Sequence, residues 1–261
     1  MSGALAPEQI DGWRRDGFFR IPGFADPAVG EEMLDRVVTL ARRAAAKEDV
    51  GPAFVLPEGQ DMGERSQPED VVSKIFRLAR DPVFRRFALR DDVTGIVAAL
   101  LGTDDVDCFL SQFIFKNPGA WGQPWHQDSY YFPFEPARPV VGIWLAVTRA
   151  TLTNGCLHVL PGSHAEPVHE HAPDPRPGAN YGYVEIVDHD MSASVPVLME
   201  PGDLLVFDSH LMHRSTDNES AGLRAAMVYH YARAGTVDHS VRDRGFTIND
   251  WIPARRSVVA A

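Results

Sequence analysis

The chain predicts a mainly β protein, a double-stranded β-helix of the jelly-roll or cupin-like kind buttressed by N-terminal helices. Three observations carry this. Helical periodicity is confined to about residues 1–105, the texture turns to short β-branched and aromatic runs from residue 106, and Gly, Pro and Asn divide those runs. Helices first and roughly eight strands afterwards suit a double sheet with helices on one face. At 261 residues a single domain over 1–261 suffices, its helical part covering about 1–105 and its β core about 106–235.

The elements follow in order. Pro7 stands in the first turn of a helix over 7–16, with acidic Glu8 beside it. Residues 18–21 read as a short strand ended by Pro22-Gly23. Val29, Met33, Leu34, Val37, Val38, Leu40 and Ala41 recur at helical spacing across 27–47. The polar stretch 49–69 reads as a loop, and 70–101 as two further helices, the second closing at Leu100-Leu101-Gly102. Strands are expected at 108–115, 122–131, 140–147, 156–160, 195–199, 203–207 and 223–231. Asn154-Gly155 predicts a hairpin-type turn and Pro201-Gly202-Asp203 another tight one. Residues 161–194 are rich in Pro and Gly and poor in apolar side chains. A connection of that length tends to be a lid or a binding loop.

Composition excludes several classes. With 44% apolar and 23% charged residues the chain is ordinary for a globular protein. A net charge of −11 without a Lys/Arg run argues against nucleic acid or an anionic membrane as partner and says nothing of any particular small substrate. Cys108 and Cys156 are the only cysteines and form no C-x-x-C, so a thiolate zinc site is out; both are expected to be small buried thiols. No basic region followed by an apolar stretch opens the chain, and no apolar run approaches a membrane span. The final Val-Val-Ala-Ala is no peroxisomal address, so a cytoplasmic location is expected.

The chemistry centres on Gln123-Pro124-Trp125-His126-Gln127-Asp128. If extended, a spacing of two puts His126 and Asp128 on one face of a strand. Such a pair is weak by itself, because 10 His and 36 acidic residues generate one or two by chance, and His164-Ala165-Glu166 is another. Two imidazoles and one carboxylate would leave open positions on a non-haem iron. The distal imidazole has three candidates, His210, His213 and His230, and 210 and 213 fall on opposite faces of an extended chain. Arg224 stands in an otherwise apolar strand, where a cation is costly to bury without an anion. An internal Asp or Glu or a dicarboxylate ligand would satisfy it. Residues 215–220 read as a turn that pairs the strand before it with the strand after.

Here several motifs coincide. His126-Gln127-Asp128, Tyr131-Phe132-Pro133-Phe134, Trp144-Leu145-Ala146, Asn154-Gly155-Cys156-Leu157, Leu160-Pro161-Gly162-Ser163-His164, Pro201-Gly202-Asp203, and His213 followed eleven residues later by Arg224 occur in one order. In this the chain resembles the phytanoyl-CoA dioxygenase family of Fe(II)/2-oxoglutarate oxygenases, from about residue 70 to 235. The resemblance implies that His126, Asp128 and His213 bind the iron and that Arg224 grips the far carboxylate of 2-oxoglutarate, with Ser215 contacting the same carboxylate. It places Lys74 toward the co-substrate and Trp144 and Gln112 along its pocket. His210 and His230 become supporting or core histidines, and His164, His169, His171 and His189 are expected to be solvated. The implied reaction consumes O2 and 2-oxoglutarate, releases succinate and CO2, and hydroxylates a small organic substrate. The alternative is a cupin-like metal-binding module or metalloenzyme that does not use 2-oxoglutarate. The pair Arg224 and Lys74 favours the oxygenase, since neither alternative needs two cations placed for a dicarboxylate.

Overall fold

The structure, a computed structural model, describes residues 5–180, 182–245 and 247–257. The terminal residues read above for targeting, 1–4 and 258–261, lie outside these. Helix α1 (Pro7–Asp16) leads into β1 (Phe18–Ile21), and α2 (Pro27–Ala45) follows. Pro occupies the first turn of both helices, and the Asp26 carboxylate caps α2 by accepting from the Ala28 amide.

Two expectations fail over the next stretch. The predicted loop contains β2 (Phe54–Pro57), and β3 (Val72–Phe76) stands where a helix was expected. Every residue of β3 is buried, because β2 pairs along one edge and β4 (Val106–Lys116) along the other. A short run buried on both faces has no period with which to announce itself as a strand. Helices α3 (Pro82–Ala88) and α4 (Asp91–Leu101) then fill the remainder, and Gly102 closes α4 in the left-handed conformation.

The later elements are β5 (Phe134–Glu135), β6 (Val140–Ala146), β7 (Leu157–Val159), β8 (His171–Pro173), β9 (Val184–Ile186), β10 (Val195–Val197), β11 (Leu204–Asp208), β12 (His213–Ser215), β13 (Arg224–Arg233), β14 (Val237–Asp238), α5 (Ser240–Arg244) and β15 (Ile252–Arg255). A large antiparallel sheet runs β1-β11-β6-β13-β4-β3-β2, with β15 also on β4. A smaller sheet, β10-β7-β12, accompanies it. The fold is the expected mainly β jelly roll with helices on one face.

Alternation along the strands sorts the two faces of the large sheet. Ile143, Leu145, Val206, Phe113, Met227 and Tyr229 join the helices in the main hydrophobic core. The Tyr229 and Tyr231 hydroxyls donate to the carbonyls of Phe84 and Ala88, tying α3 to β13. The opposite face carries Trp144, Ala146, Leu205, Phe207, Ala226 and Val228. Gly142 lies on that face, where an added Cβ would stand 2.3 Å from the Phe207 ring. The bare backbone of Gly142 therefore makes room for the Phe207 ring.

Candidate active site

His126 and Asp128 do not lie on a strand. Residues 122–131 form an irregular crossing in which His126 makes an isolated bridge with His213, and Asp128 opens a single 3-10 turn, Asp128–Tyr131. The bridge is two backbone bonds, His126 N–H to His213 O at 2.9 Å and His213 N–H to His126 O at 3.0 Å. It sets the two imidazoles side by side, ring centroids 4.2 Å apart. Each Nδ1 donates to a backbone carbonyl, His126 to Pro124 at 2.8 Å and His213 to Leu211 at 2.9 Å. That assignment leaves both Nε2 lone pairs free. The nearer Asp128 oxygen, Oδ1, lies 3.5 Å from His126 Nε2 and 3.9 Å from His213 Nε2. The three donor atoms lie within 4.8 Å of one another.

Protonation suits a metal. Burial, followed by the neighbouring His126, lowers the pKa of His213 to about 4, so its imidazole is neutral at pH 7. Burial acts to raise the Asp128 carboxyl, but the histidines around it, His213 and His230 foremost, outweigh it and hold it well below the usual range. His230 Nε2 donates to Asp128 Oδ2 at 2.8 Å, which leaves Oδ1 turned toward the two histidines. Two imidazoles and one carboxylate, open on one side, fit the donor set of a non-haem iron.

Beyond this cluster the cleft carries Lys74, Lys116 and Arg224 with one acid, Glu58, whose carboxylate accepts from Asn180. Arg224 is 2% exposed, and its Nε and Nη1 have no hydrogen-bond partner. No carboxylate pairs with it among the described residues; the only interactions favouring its charge come from Tyr183 and Cys156, and burial lowers its pKa to about 10. It remains a cation at neutral pH. The indole Nε1 of Trp144 is likewise unpartnered, and the guanidinium lies 5.8 Å from that ring's centroid. Ser215 accepts from the Gln123 amide at 3.1 Å and from Lys116 Nζ at 2.8 Å, leaving its own hydroxyl proton to donate. Lys74 is buried on β3 and donates to Gln123 Oε1 at 3.0 Å, its ammonium 5.0 Å from the Tyr183 ring centroid. Gln112, Trp144, Lys74, Ser215 and Arg224 line one cavity with the His–Asp–His cluster.

Sequence reading missed Lys116. It is directly opposite Arg224 in the β4–β13 register, and both line the same cavity. Like charges facing across a sheet are destabilising. Burial, then Arg224, pushes the Lys116 ammonium well below its ordinary pKa. Gly155 makes room for it: φ is +86°, and an added Cβ would stand 2.4 Å from Lys116 Cδ. The signal was available, since Lys116 follows the apolar run Phe113-Ile114-Phe115 and shares the inward face with Gln112.

Two further expectations are corrected. The 215–220 segment does not pair its flanking strands; β12 joins β7 in the small sheet, while β13 lies between β4 and β6 in the large one. It is the crossing that lets His213 and Arg224 approach one cleft from two sheets. Nor is His171 solvated. It is 8% exposed, stacks on Tyr130 and accepts from the Gln127 amide at 3.1 Å. The 161–194 connection is well structured over its described residues, carrying the β8–β9 hairpin and placing Tyr183 against the site.

A second cavity adjoins the first through Lys74, Gln112, Gln123, Asp128 and Tyr183. Phe54, Leu56, Phe76, Leu110, Tyr131, Phe132 and Ile248 give it apolar walls, with Ser240 and Asn249 as neutral polar groups.

A jelly roll with an open His–Asp–His cluster and an unpaired buried arginine beside it defines a class, the 2-oxoglutarate-dependent non-haem iron oxygenases. The family model for phytanoyl-CoA dioxygenase (PhyH) matches residues 13–226, and the chain belongs to that family. A probable phytanoyl-CoA dioxygenase of Caenorhabditis elegans is 35% identical over 63% of this chain and 55% of that protein, so the match spans about half of the relative's length. Phytanoyl-CoA dioxygenase domain-containing protein 1 of Rattus norvegicus is 31% identical over 89% of this chain and 92% of its own. The fold is shared with the crystal structure of the epimerase SnoN in complex with Fe3+, alpha ketoglutarate and nogalamycin RO: TM-score 0.66, 20% identity, covering 88% of this chain and 84% of that one. No helix among the described residues is long and apolar enough to cross a membrane.

Proposed function

We propose that this enzyme hydroxylates a small, largely apolar organic substrate while converting 2-oxoglutarate to succinate and CO2. The observation that carries the reading is Arg224, a fully buried guanidinium with no acidic partner, in one cavity with the His126–Asp128–His213 cluster. An uncompensated buried cation costs several kcal/mol, of order ~3–5 by comparison with broken buried pairs. A dicarboxylate ligand removes that cost, which a metal-binding module without 2-oxoglutarate would not do.

In this reading His126, Asp128 and His213 hold the iron, which when bound supplies the redox chemistry with O2. Arg224, assisted by the Ser215 hydroxyl, receives the far carboxylate, and Lys116 opposite holds that hydroxyl by donating to it. Trp144 Nε1 offers a further donor along the pocket, and Gln112 and Lys74 stand where the two cavities meet. The chain's own contribution is to orient the co-substrate and exclude water. His230 holds Asp128 with one oxygen toward the histidines, so the carboxylate would serve as an iron ligand where a halide would otherwise have to. Hydroxylation is therefore favoured over halogenation.

The second cavity takes the prime substrate. Lys74 is the only cation among the described residues lining it, which supports a small apolar substrate with a neutral polar group over the diphosphate of a CoA ester. Succinate release from 2-oxoglutarate with iron and O2, screened across apolar acids, alcohols and acyl thioesters, tests both assignments. Under 18O2 with excess chloride, the substrate should gain one labelled oxygen. A chlorinated product, or an isomer of unchanged mass, overturns the hydroxylase reading.

A further inference from the structure

Outside the cleft, a second cluster of two histidines and one carboxylate sits on the 161–194 connection. Glu166, His169 and His189 bring their donor atoms within 4.8 Å of one another. Both Nε2 atoms converge on one oxygen, Glu166 Oε2, His169 at 2.8 Å and His189 at 3.1 Å. His189 Nδ1 lies 3.1 Å from the Asp190 carbonyl oxygen. His189 thus faces an acceptor at each nitrogen, and a neutral imidazole has one proton to donate. The other nitrogen needs an added proton or a cation between it and the carboxylate.

His189 is oriented as both histidines of the first cluster are, with Nδ1 on a backbone carbonyl and Nε2 turned to a shared carboxylate oxygen. An imidazole oriented this way presents its Nε2 lone pair to a metal. The three side chains are 39%, 25% and 20% exposed, which admits an ion and its water ligand from solvent.

We propose that Glu166, His169 and His189 form a second divalent-metal site, taking zinc, that straps the two ends of the 167–188 segment together. Two nitrogen donors and one oxygen favour zinc over magnesium or calcium, which take oxygen ligands. On metal entry His169 shifts its single proton from Nε2 to Nδ1, and His189 keeps its Nδ1 proton on the Asp190 carbonyl while any proton on its Nε2 passes to solvent. The strap reaches the active site through Gln127, the residue between His126 and Asp128. Gln127 Nε2 donates to Pro167 O at 3.0 Å, and its Oε1 accepts from the His169 amide at 2.8 Å.

The test uses the full chain, stripped with chelator and dialysed against buffered Zn2+, with bound metal counted by elemental analysis. Wild type should hold two equivalents and the Glu166→Gln/His169→Ala variant one. The His126→Ala/His213→Ala variant should also hold one, and this must vanish when Glu166→Gln and His169→Ala are added. Its survival in the combined variant overturns the proposal, as does a wild type holding a single equivalent that Glu166→Gln/His169→Ala retains. Because the two pairs of variants are counted separately, failure of the active-site assignment leaves a different pattern. Zn2+ should also slow protease cleavage within 170–188 several-fold in wild type and in His126→Ala/His213→Ala, and not in Glu166→Gln/His169→Ala. Equal cleavage with and without Zn2+ in wild type overturns the strap.

Discussion

The two cavities share Asp128 and Lys74 yet are built on opposite principles. The inner one is charged and unfinished: Arg224 and Lys116 face each other across β13 and β4, and among the described residues no acid pairs with Arg224. The adjoining one is finished, its walls closed by aromatic contacts such as Phe132 on Phe134 and both on Phe109. An unsatisfied charge specifies its ligand narrowly, because few molecules supply the missing anion at that depth. An apolar wall specifies only shape and polarity. The inner cavity therefore identifies its occupant, and the outer one a class of occupants.

The largest expected effect lies where the cavities meet. Asp128→Ala should reduce 2-oxoglutarate turnover at least a hundredfold and weaken iron binding in parallel, read by succinate release and metal titration; retention of both would remove Asp128 from the metal. Next is the inner cavity. Arg224→Ala should raise the apparent 2-oxoglutarate requirement at least tenfold, in keeping with the ~1.5–3 kcal/mol of a charge-assisted hydrogen bond. Arg224→Met should show the same kinetic loss while raising the Tm of the ligand-free protein, because it removes an unpaired buried cation. A lower Tm in Arg224→Met would mean that the guanidinium is satisfied in the free enzyme.

The outer cavity should respond differently. Phe76→Ala is expected to raise KM for the prime substrate several-fold and to leave the 2-oxoglutarate requirement within twofold; equal shifts in both would dissolve the distinction between the cavities. The smallest effect concerns His210, buried and bonded to Ser129 Oγ, whose pKa burial, ahead of Arg138, lowers to about 4. The unfolded chain protonates this group near pH 6.5 and the native one near 4, so its contribution to stability is lost as pH falls through that window. His210→Gln should flatten the fall in Tm between pH 6.5 and 4. An unchanged slope would assign the dependence to other groups.

How much of this was legible depended on whether a residue announced itself locally. His126, Asp128 and His213 stand in motifs, and Arg224 is conspicuous as a cation among Leu223, Ala225 and Ala226. Lys74 was placed in the site but on the wrong element, because a strand buried on both faces has no alternation to read. Lys116 carried the same signature as Arg224 but lay outside every motif. The coil at 122–131 was read as a strand because aromatic composition and a spacing of two suit either conformation. What composition could not show was the crossing between sheets at 215–220, which is a property of pairing partners far away in the chain. The second histidine cluster was invisible for the same reason, with His189 two dozen residues from Glu166.

The family match ends at residue 226, whereas Ser240, Thr247, Ile248 and Asn249 form part of the outer cavity's wall. These residues lie between β14 and β15, and β15 is anchored by pairing Ile252 with Cys108 on β4. The wall is thus an appendix that the barrel holds at both ends without using it for its own closure. A lineage, or an engineer, can rewrite those ten or so positions and alter what the enzyme accepts while every charged residue of the inner cavity keeps its place. Divergence in substrate among such enzymes would then be recorded after β13, outside the residues that the family model matches.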